Sequence, residues 1–293
     1  MSMATCASPV DVGEHGTYAV HRDPGDTRPV YRFTDRITAD GASGYPAVGG
    51  RYHVYAGWFC PWSQRVTLEL ALNGLAEVVS VSFVDDERDG RGWAFRETHG
   101  PDPVNGFALL REAYDRTEPG FDGLVSVPTL WDRVTGRVVS NDFRLLGIDL
   151  ATQFGATAGT YPEHLRDEIE ALDAQLGPDV NQGISVAGGD GPGAPQARER
   201  LLARFAELEE RLSGSRFLLG DQLTEADVRL WVSVVRYDAE HNVGGRIGPA
   251  LPHWPALWRW GRELYALPAF RSTTRFASFT GPGAVQLEWE GER

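Results

Sequence analysis

The sequence predicts a protein that combines an α/β domain with an all-helical domain, on three observations. Its length of 293 residues corresponds to about two domains, since a domain has roughly 150 residues. A strand–helix–strand pattern covers residues 52–84, and a two-stranded pattern covers 126–140. From residue 162 onward the apolar spacing is helical. We therefore expect three segments, which are an N-terminal arm at 1–48, an α/β domain at 49–155 and an all-helical domain at 156–293.

Each element of the first two segments has its own signal. The arm is rich in Gly, Pro, Asp and Thr and weakly periodic, so we expect it to be extended. Residues 52–56 alternate and are β-forming, which predicts a strand. Residues 64–72 have apolar spacing near 3.6 and end at Asn73-Gly74, which predicts a helix. Further strands are predicted at 78–84, 126–132 and 137–140, with a short helix at 108–114.

The second domain shows only helical patterns. Predicted helices cover 162–176, 196–212 and 254–265, and a Gly-rich loop is predicted at 183–195. Another helix opens after Thr224, which is an N-cap residue with Asp227 three positions later. This spacing is a capping box, so it explains Asp227 without a catalytic role.

Composition and charge exclude several classes of function. The formal net charge of −13 argues against nucleic acid and anionic membranes as partners, because like charges repel. Two cysteines exclude a disulfide framework and a multi-cysteine zinc site, so no metal is expected. No apolar run approaches the roughly 20 residues of a membrane helix, and residues 1–26 contain no secretory signal pattern. We expect a cytoplasmic protein.

The most specific chemical signal is Phe59-Cys60-Pro61-Trp62, between a predicted strand and a predicted helix. This position places Cys60 at the helix N-terminus, where the helix dipole and free backbone amides favour a thiolate. Pro61 is favourable in a first helical turn. The alternative is a buried, inert cysteine. If the thiolate is reactive, we expect it to be open to solvent.

The residue three positions after Cys60 is Ser63, which excludes a disulfide within this motif. A monothiol mechanism remains, in which Cys60 forms a mixed disulfide with a small thiol and a second thiol releases it. Val127-Pro128, just before a predicted strand, is a second signal, because a proline there removes a ladder donor. In thioredoxin-like domains this proline is cis, and the residue before it offers backbone hydrogen bonds to a thiol.

With these motifs the chain resembles the xi-class glutathione transferases, also called glutathionyl-hydroquinone reductases. The resemblance extends from about residue 31 to 265. It rests on residues 37–41, 51–55, 60–65, 92–93, 127–132, 135–136, 139–141, 217–230 and 236–238. It implies a thioredoxin-like domain followed by the helical domain of glutathione transferases, usually as a homodimer.

The resemblance also implies site residues. Cys60 would attack the sulfur of an S-glutathionyl hydroquinone, so that hydroquinone leaves and glutathione regenerates the thiol. The thiol-binding residues implied are Trp93, Val127, Pro128, Asn141 and Asp142. The substrate-binding candidates are Trp62, Ser185, Tyr237 and His241. For Trp62 and Tyr237 the alternative is core packing. His241 is a candidate proton donor, and its alternative is a polar pocket-lining or surface role.

Departures from the family pattern lie at the ligand pockets. Asp142 and Phe143 stand where Glu and Ser are usual, and Leu124 stands where Arg is frequent. Ser185 and His241 stand where the family has tyrosines. Sites that lose hydroxyls or charges discriminate differently among ligands. The small thiol could therefore be glutathione or another low-molecular-weight thiol such as mycothiol, which lacks the γ-glutamyl group.

The function expected from the sequence is thiol-dependent removal of a small thiol from S-conjugated (hydro)quinones through a Cys60 mixed disulfide. Two alternatives stay open. One is a conjugating glutathione-transferase-like enzyme, in which Cys60 only stabilises the bound thiolate. The other is a non-catalytic ligand-binding scaffold, which the altered pockets suggest.

Overall fold

The computed structural model describes residues 6–20, 25–155 and 159–290. Parts of the expected arm, 1–5 and 21–24, and the expected domain boundary at 156–158 lie outside the described residues. Contacts divide the chain into two compact units, Met1–Ala158 and Gly159–Arg293. No helix of the described ranges is long and apolar enough to cross a membrane.

The first unit is built on a mixed sheet. Its elements in order are α1 (Val12–His15), β1 (Tyr52–Ala56), α2 (Pro61–Leu72), β2 (Ser80–Phe83), α3 (Arg111–Thr117), β3 (Thr129–Asp132), β4 (Arg137–Ser140) and α4 (Phe143–Thr152). Within the described residues the sheet has the order β2-β1-β3-β4. β1 and β2 are parallel, as a crossover through α2 requires, and β1–β3 and β3–β4 are antiparallel. Together with α2 and α4 this is the expected thioredoxin-like arrangement.

Two hydrophobic clusters hold this unit together. One packs the sheet against α2 and α4 and includes Val54, Val66, Leu130 and Leu146, all at most 1% exposed. The other contains Cys60 and surrounds it with apolar side chains. Part of the expected arm also joins this core, since Ile37 is 1% exposed. The arm joins this core from about residue 31 onward, because its apolar residues gain burial against the sheet. Its earlier part is also bonded to the unit, since the Ala7 N–H donates to the Phe95 carbonyl at 2.8 Å, and the expectation of an extended arm is wrong at α1.

The second unit contains helices and no strand among its described residues. Its α-helices are α5 (Arg166–Leu176), α6 (Gly183–Ala187), α7 (Ala194–Ser213), α8 (Glu225–Val234), α9 (Pro255–Tyr265) and α10 (Pro268–Ser272). Two π-helical turns occur, at Gly177–Asn181 and Tyr237–His241. All ten residues of α8 are buried, which makes it the central helix of this unit.

One expectation for this unit is confirmed and one is wrong. Thr224 and Asp227 form the predicted capping box at the start of α8. The predicted loop at 183–195 is wrong at its start, where α6 forms. Ile184 and Ala187 of α6 are 3% and 0% exposed, so burial of this apolar face outweighs the unfavourable helix propensity of the glycines.

Candidate active site

Cys60 lies at the start of α2, in the turn that follows β1. It is the N-cap residue, and its Sγ accepts a hydrogen bond from the Ser63 backbone N–H at 3.5 Å. Ser63 also stabilises the turn between β1 and α2, because its Oγ accepts a hydrogen bond from the Gly57 N–H at 3.1 Å. Pro61 occupies the first helical position, where its missing N–H costs no hydrogen bond. The sulfur thus lies where the helix amides stabilise negative charge.

The expectation that Cys60 is open to solvent is wrong, because the residue is only 6% exposed. Aromatic stacks flank it: Phe59 stacks on Trp93 with ring centroids 4.4 Å apart, and Trp62 stacks on Phe143 at 4.6 Å. These rings bury more apolar surface by closing over the sulfur than by standing apart. The burial of Cys60 agrees with the buried-cysteine alternative as far as exposure is concerned, whereas its position at the helix start agrees with the reactive one.

The Val127–Pro128 peptide bond is cis, as the thioredoxin-like resemblance implies. Across from the helix start, the Cys60 thiol donates to the Val127 carbonyl oxygen at 3.5 Å. Since a bond from a neutral thiol is lost on ionisation, this carbonyl can hold the protonated form of Cys60. The structure thus brings together Cys60, Val127 and Pro128. Their contact with a bound thiol stays a prediction.

Trp93 lies beside this cluster, but its ring is already in contact with other side chains. The Arg88 guanidinium lies 4.3 Å from the ring centroid, in addition to the stack with Phe59. Arg88 also lies over the Tyr18 ring at 4.4 Å. A thiol that packs on Trp93, as predicted, would therefore meet the ring edge or displace Arg88.

Asn141 was expected to bind the thiol, but its side chain is engaged within the protein. Its Oδ1 accepts the Phe33 backbone N–H at 3.2 Å, and its Nδ2 donates to Ser126 Oγ at 3.3 Å. The residue is 1% exposed. A buried amide needs hydrogen-bond partners for both its oxygen and its nitrogen. In this structure Asn141 finds them within the protein and connects the arm to the end of β4.

Asp142 is the N-cap residue of α4 and is 4% exposed. Its Oδ1 accepts the Arg144 backbone N–H at 3.1 Å and Arg144 Nε at 2.8 Å. Its Oδ2 accepts Arg144 Nη2 at 2.6 Å. A two-pronged arginine contact of this kind is among the strongest that a carboxylate makes. An amino group that is to bind Asp142 must therefore compete with Arg144.

Tyr31 belongs to this region, although no sequence signal indicated it. Its ring lies edge-on to Phe143, with centroids 5.8 Å apart. Burial raises the pKa of its phenol, and the negative charges of Cys60 and Asp142 raise this pKa further. The hydroxyl thus stays protonated at neutral pH and lies within the electrostatic reach of both groups. Its separation of 112 residues from Phe143 explains why no local pattern could reveal it.

The three candidates in the second unit differ in their surroundings. Ser185 is exposed on α6, and its hydroxyl donates to the Gln182 carbonyl at 3.1 Å. Tyr237 is fully buried, and its hydroxyl donates to the Pro249 carbonyl at 3.0 Å. This contact favours the core-packing alternative for Tyr237, and its contact with a substrate stays a prediction.

His241 has a side chain that is 14% exposed. Burial, followed by repulsion from Arg236, lowers its pKa to about 4. The ring is therefore neutral near pH 7, which favours the polar pocket-lining or surface alternative for His241 over the role of proton donor. Across the described residues, no group of three or more His, Cys, Asp or Glu side chains could hold a metal ion.

Comparison with known proteins agrees with these observations. Residues 161–260 match the family model described as the glutathione S-transferase C-terminal domain. The chain is 37% identical over 208 residues to glutathionyl-hydroquinone reductase of Sphingobium chlorophenolicum, covering 68% of this chain and 66%, just under two thirds, of that protein. It is 32% identical to the glutathionyl-hydroquinone reductase of Escherichia coli, covering 83% of this chain and 79% of that protein. The xi glutathione S-transferase structure from Phanerochaete chrysosporium superposes with a TM-score of 0.80 at 30% identity, covering 86% and 90% of the two chains.

Proposed function

Since the chain belongs to the glutathionyl-hydroquinone reductase family of xi-class, glutathione-transferase-like enzymes, we propose that it removes a small thiol from S-conjugated hydroquinones. The observation that carries this proposal is the position of Cys60. Its sulfur caps α2 and accepts the Ser63 N–H, which stabilises the negative charge of a nucleophilic thiolate. The Val127 carbonyl next to the cis proline accepts a hydrogen bond from the neutral thiol only, so this contact is lost when Cys60 ionises.

In the first step the Cys60 thiolate attacks the sulfur of the conjugate. An S–S bond forms between Cys60 and the small thiol as the bond between sulfur and the aromatic carbon breaks. The electron pair of that bond goes to the ring carbon, which takes up a proton from solvent, and the hydroquinone leaves. His241 is neutral near pH 7, so we assign it no proton transfer.

In the second step a further molecule of the small thiol, as its thiolate, attacks the mixed disulfide. The disulfide of the small thiol forms and the Cys60 thiolate is released. Two thiol sulfurs are thereby oxidised, and the aromatic ring receives the two electrons. Cys60 alone accounts for both steps, which agrees with Ser63 in place of a second cysteine.

The surroundings of Asp142 favour a second statement, about the identity of the thiol. Arg144 engages both oxygens of this carboxylate, and Phe143 stacks on Trp62. An α-ammonium group, such as that of the γ-glutamyl residue, would have to displace Arg144. We therefore include in the proposal that a thiol without this group, such as mycothiol, serves as well as or better than glutathione.

The experiment is intact-mass analysis after incubation with glutathione disulfide and with mycothiol disulfide. We expect a single adduct on the wild type and on Cys6→Ser, the matched control for the other cysteine, and no adduct on Cys60→Ser. Turnover of an S-conjugated hydroquinone should fall by about a thousandfold or more in Cys60→Ser, because the nucleophile is lost. Retained turnover in this variant would support the conjugating alternative, in which Cys60 forms no covalent intermediate.

The scaffold alternative is tested by the rate of Cys60 alkylation as a function of pH. A reactive thiolate should titrate below the value of about 8.5 for a free cysteine, whereas a scaffold gains nothing from such a shift.

The homodimer implied by the family resemblance also belongs to the proposal, and light scattering on the purified chain decides it.

A further inference from the structure

We propose that Tyr31, which the N-terminal arm contributes, donates a hydrogen bond from its hydroxyl to an oxygen atom of the small thiol held at Cys60. This assignment rests on the proposed function, because it names a recognition group of the same site. The chemistry that Tyr31 selects is an oxygen acceptor, such as a carboxylate, carbonyl or hydroxyl group, in the part of the thiol that extends past Phe143.

The geometry places Tyr31 and Trp62 in contact with one phenyl ring. Trp62, in the first turn of the helix that Cys60 caps, stacks on Phe143 with centroids 4.6 Å apart. Tyr31 meets the same Phe143 ring edge-on at 5.8 Å. The Arg144 guanidinium lies 5.9 Å from the centroid of the Tyr31 ring. Trp62 also packs against the cluster that contains Cys60, so Phe143 and Trp62 connect Tyr31 to the surroundings of the sulfur.

The Tyr31 hydroxyl differs from those of Tyr52 and Tyr114 in the same unit, and resembles that of Tyr18, in having no hydrogen-bond partner among the described residues. Tyr52 donates to the Pro46 carbonyl at 2.8 Å, and Tyr114 bonds Thr129 Oγ1 at 2.7 Å. Within residues 6–20, 25–155 and 159–290 no hydrogen bond engages the hydroxyl of Tyr31, although its side chain is only partly exposed. A half-buried hydroxyl without a protein partner is a donor that a ligand can satisfy.

The electrostatic surroundings decide which kind of group it would bind. The charges of Cys60 and Asp142 add to burial in raising the pKa of Tyr31, so the phenol is a neutral donor over the physiological range. Phe143 presents no hydroxyl, and the neighbouring Asp142 carboxylate is engaged by Arg144. Phe143, at the start of α4, has no hydroxyl group. Tyr31, which packs on it, thus supplies a hydroxyl donor at this place.

The test measures binding of two unreactive probes, S-methylglutathione and S-methylmycothiol, by calorimetry. Both carry oxygen acceptors, and their binding requires no attack by Cys60. We expect Tyr31→Phe to weaken binding of whichever probe the wild type prefers by about tenfold, which corresponds to one hydrogen bond. Tyr45→Phe is the matched control, since Tyr45 is also a partly buried arm tyrosine packed on the same core cluster. The affinity of Tyr45→Phe for the same probe should stay within about twofold of the wild-type affinity.

A spectroscopic measurement separates a ligand contact from a packing effect. In protein labelled with 3-fluorotyrosine, the ¹⁹F resonance that is missing from Tyr31→Phe should shift on addition of the probe. The binding difference should persist in a Cys60→Ser background, so loss of turnover there tests the proposed function and leaves this inference intact. Binding of Tyr31→Phe within twofold of the wild type, an unmoved resonance, or no binding of either probe to the wild type would overturn it.

Discussion

The polar groups around Phe143 in the first unit and the buried pair of Asp227 and Tyr237 in the second differ in what satisfies their hydrogen bonds. In the first unit, Tyr31 packs on Phe143 next to the Asp142–Arg144 pair, and the Tyr31 hydroxyl has no partner in the described residues. In the second unit, Asp227 is fully buried and accepts four hydrogen bonds. Tyr237 is equally buried and bonded.

This difference indicates which polar groups are available for chemistry. A group whose partners are all supplied by the fold stabilises that fold and gains nothing by binding a ligand. A group with a missing partner, or with one on an exposed arginine, can exchange it for a ligand. Arg144 is such a partner, since its side chain is 59% exposed. Asp227 therefore stabilises the fold, whereas a part for Asp142 in recognising the thiol stays a prediction, although both are buried aspartates near a helix start.

The largest effect expected from this comparison is on Asp227. The Asp227→Ala change removes an acceptor from the Leu218 and Thr224 amides, the Thr224 hydroxyl and the Trp260 indole. We expect the free energy of unfolding to fall by about 4 kcal/mol, because buried donors are left unpaired. Chemical denaturation followed by tryptophan fluorescence measures this loss.

Asp221→Ala is the matched control, because Asp221 is an exposed aspartate in the same loop. It should change stability by less than about 0.5 kcal/mol. Below the unfolding transition, Cys60 of the Asp227 variant should be alkylated at the wild-type rate. If instead the stability is unchanged and turnover is lost, Asp227 belongs to the chemistry and the comparison fails.

A second, smaller effect is the pH dependence that His241 contributes. Burial and Arg236 lower its folded-state pKa to about 4, against an ordinary value of 6.5. The unfolded chain therefore takes up a proton as pH falls below 6.5, while the folded chain does not. Stability from this group is complete above pH 6.5 and decreases toward pH 4, by about 2 kcal/mol between pH 7 and pH 5.

The measurement is the free energy of unfolding at several pH values for the wild type and His241→Asn. The variant should show a shallower dependence between pH 7 and pH 5. Glu240, 3.7 Å from the His241 ring nitrogen, remains in both proteins. His253→Asn removes an exposed histidine of the same unit and should leave the slope unchanged. Equal slopes for wild type and His241→Asn would show that the ring is not held neutral.

Features that depend on neighbouring residues could be predicted from the sequence. Cys60 caps α2 because Pro61 and Ser63 follow it, and Thr224 caps α8 because Asp227 lies three positions on. Such caps are determined by a few consecutive residues, so their spacing is sufficient evidence.

Features that depend on distant residues or on side-chain conformation could not be predicted. The Tyr31 ring reaches Phe143 across 112 residues, and no periodic pattern relates the two. The pairing of Asp142 with Arg144 depends on how a flexible arginine folds back on its helix start. The burial of Cys60 beside two aromatic stacks depends on rings from separate segments, which only tertiary packing brings together.

The smallest effect tests the recognition role assigned to Asp142. Arg144→Ala removes the guanidinium from both carboxylate oxygens and leaves the backbone cap of α4 in place. An α-ammonium group can then pair with Asp142, so S-methylglutathione should bind about tenfold more tightly. Its N-acetylated derivative, which lacks the positive charge, should show no gain. Calorimetric titration of both compounds measures the difference.

The double variant Asp142→Asn/Arg144→Ala makes this prediction sharper. Asparagine is an equally good N-cap residue, so α4 should begin as before, but the negative charge is gone and the gain for S-methylglutathione should disappear. Arg200→Ala serves as the matched control, since Arg200 is an exposed arginine paired with Asp179. It should alter neither affinity. If the double variant still binds S-methylglutathione more tightly than the wild type, the gain comes from the lost bulk or positive charge of Arg144. Asp142 would then be a helix cap like Thr224, with no part in recognising the thiol.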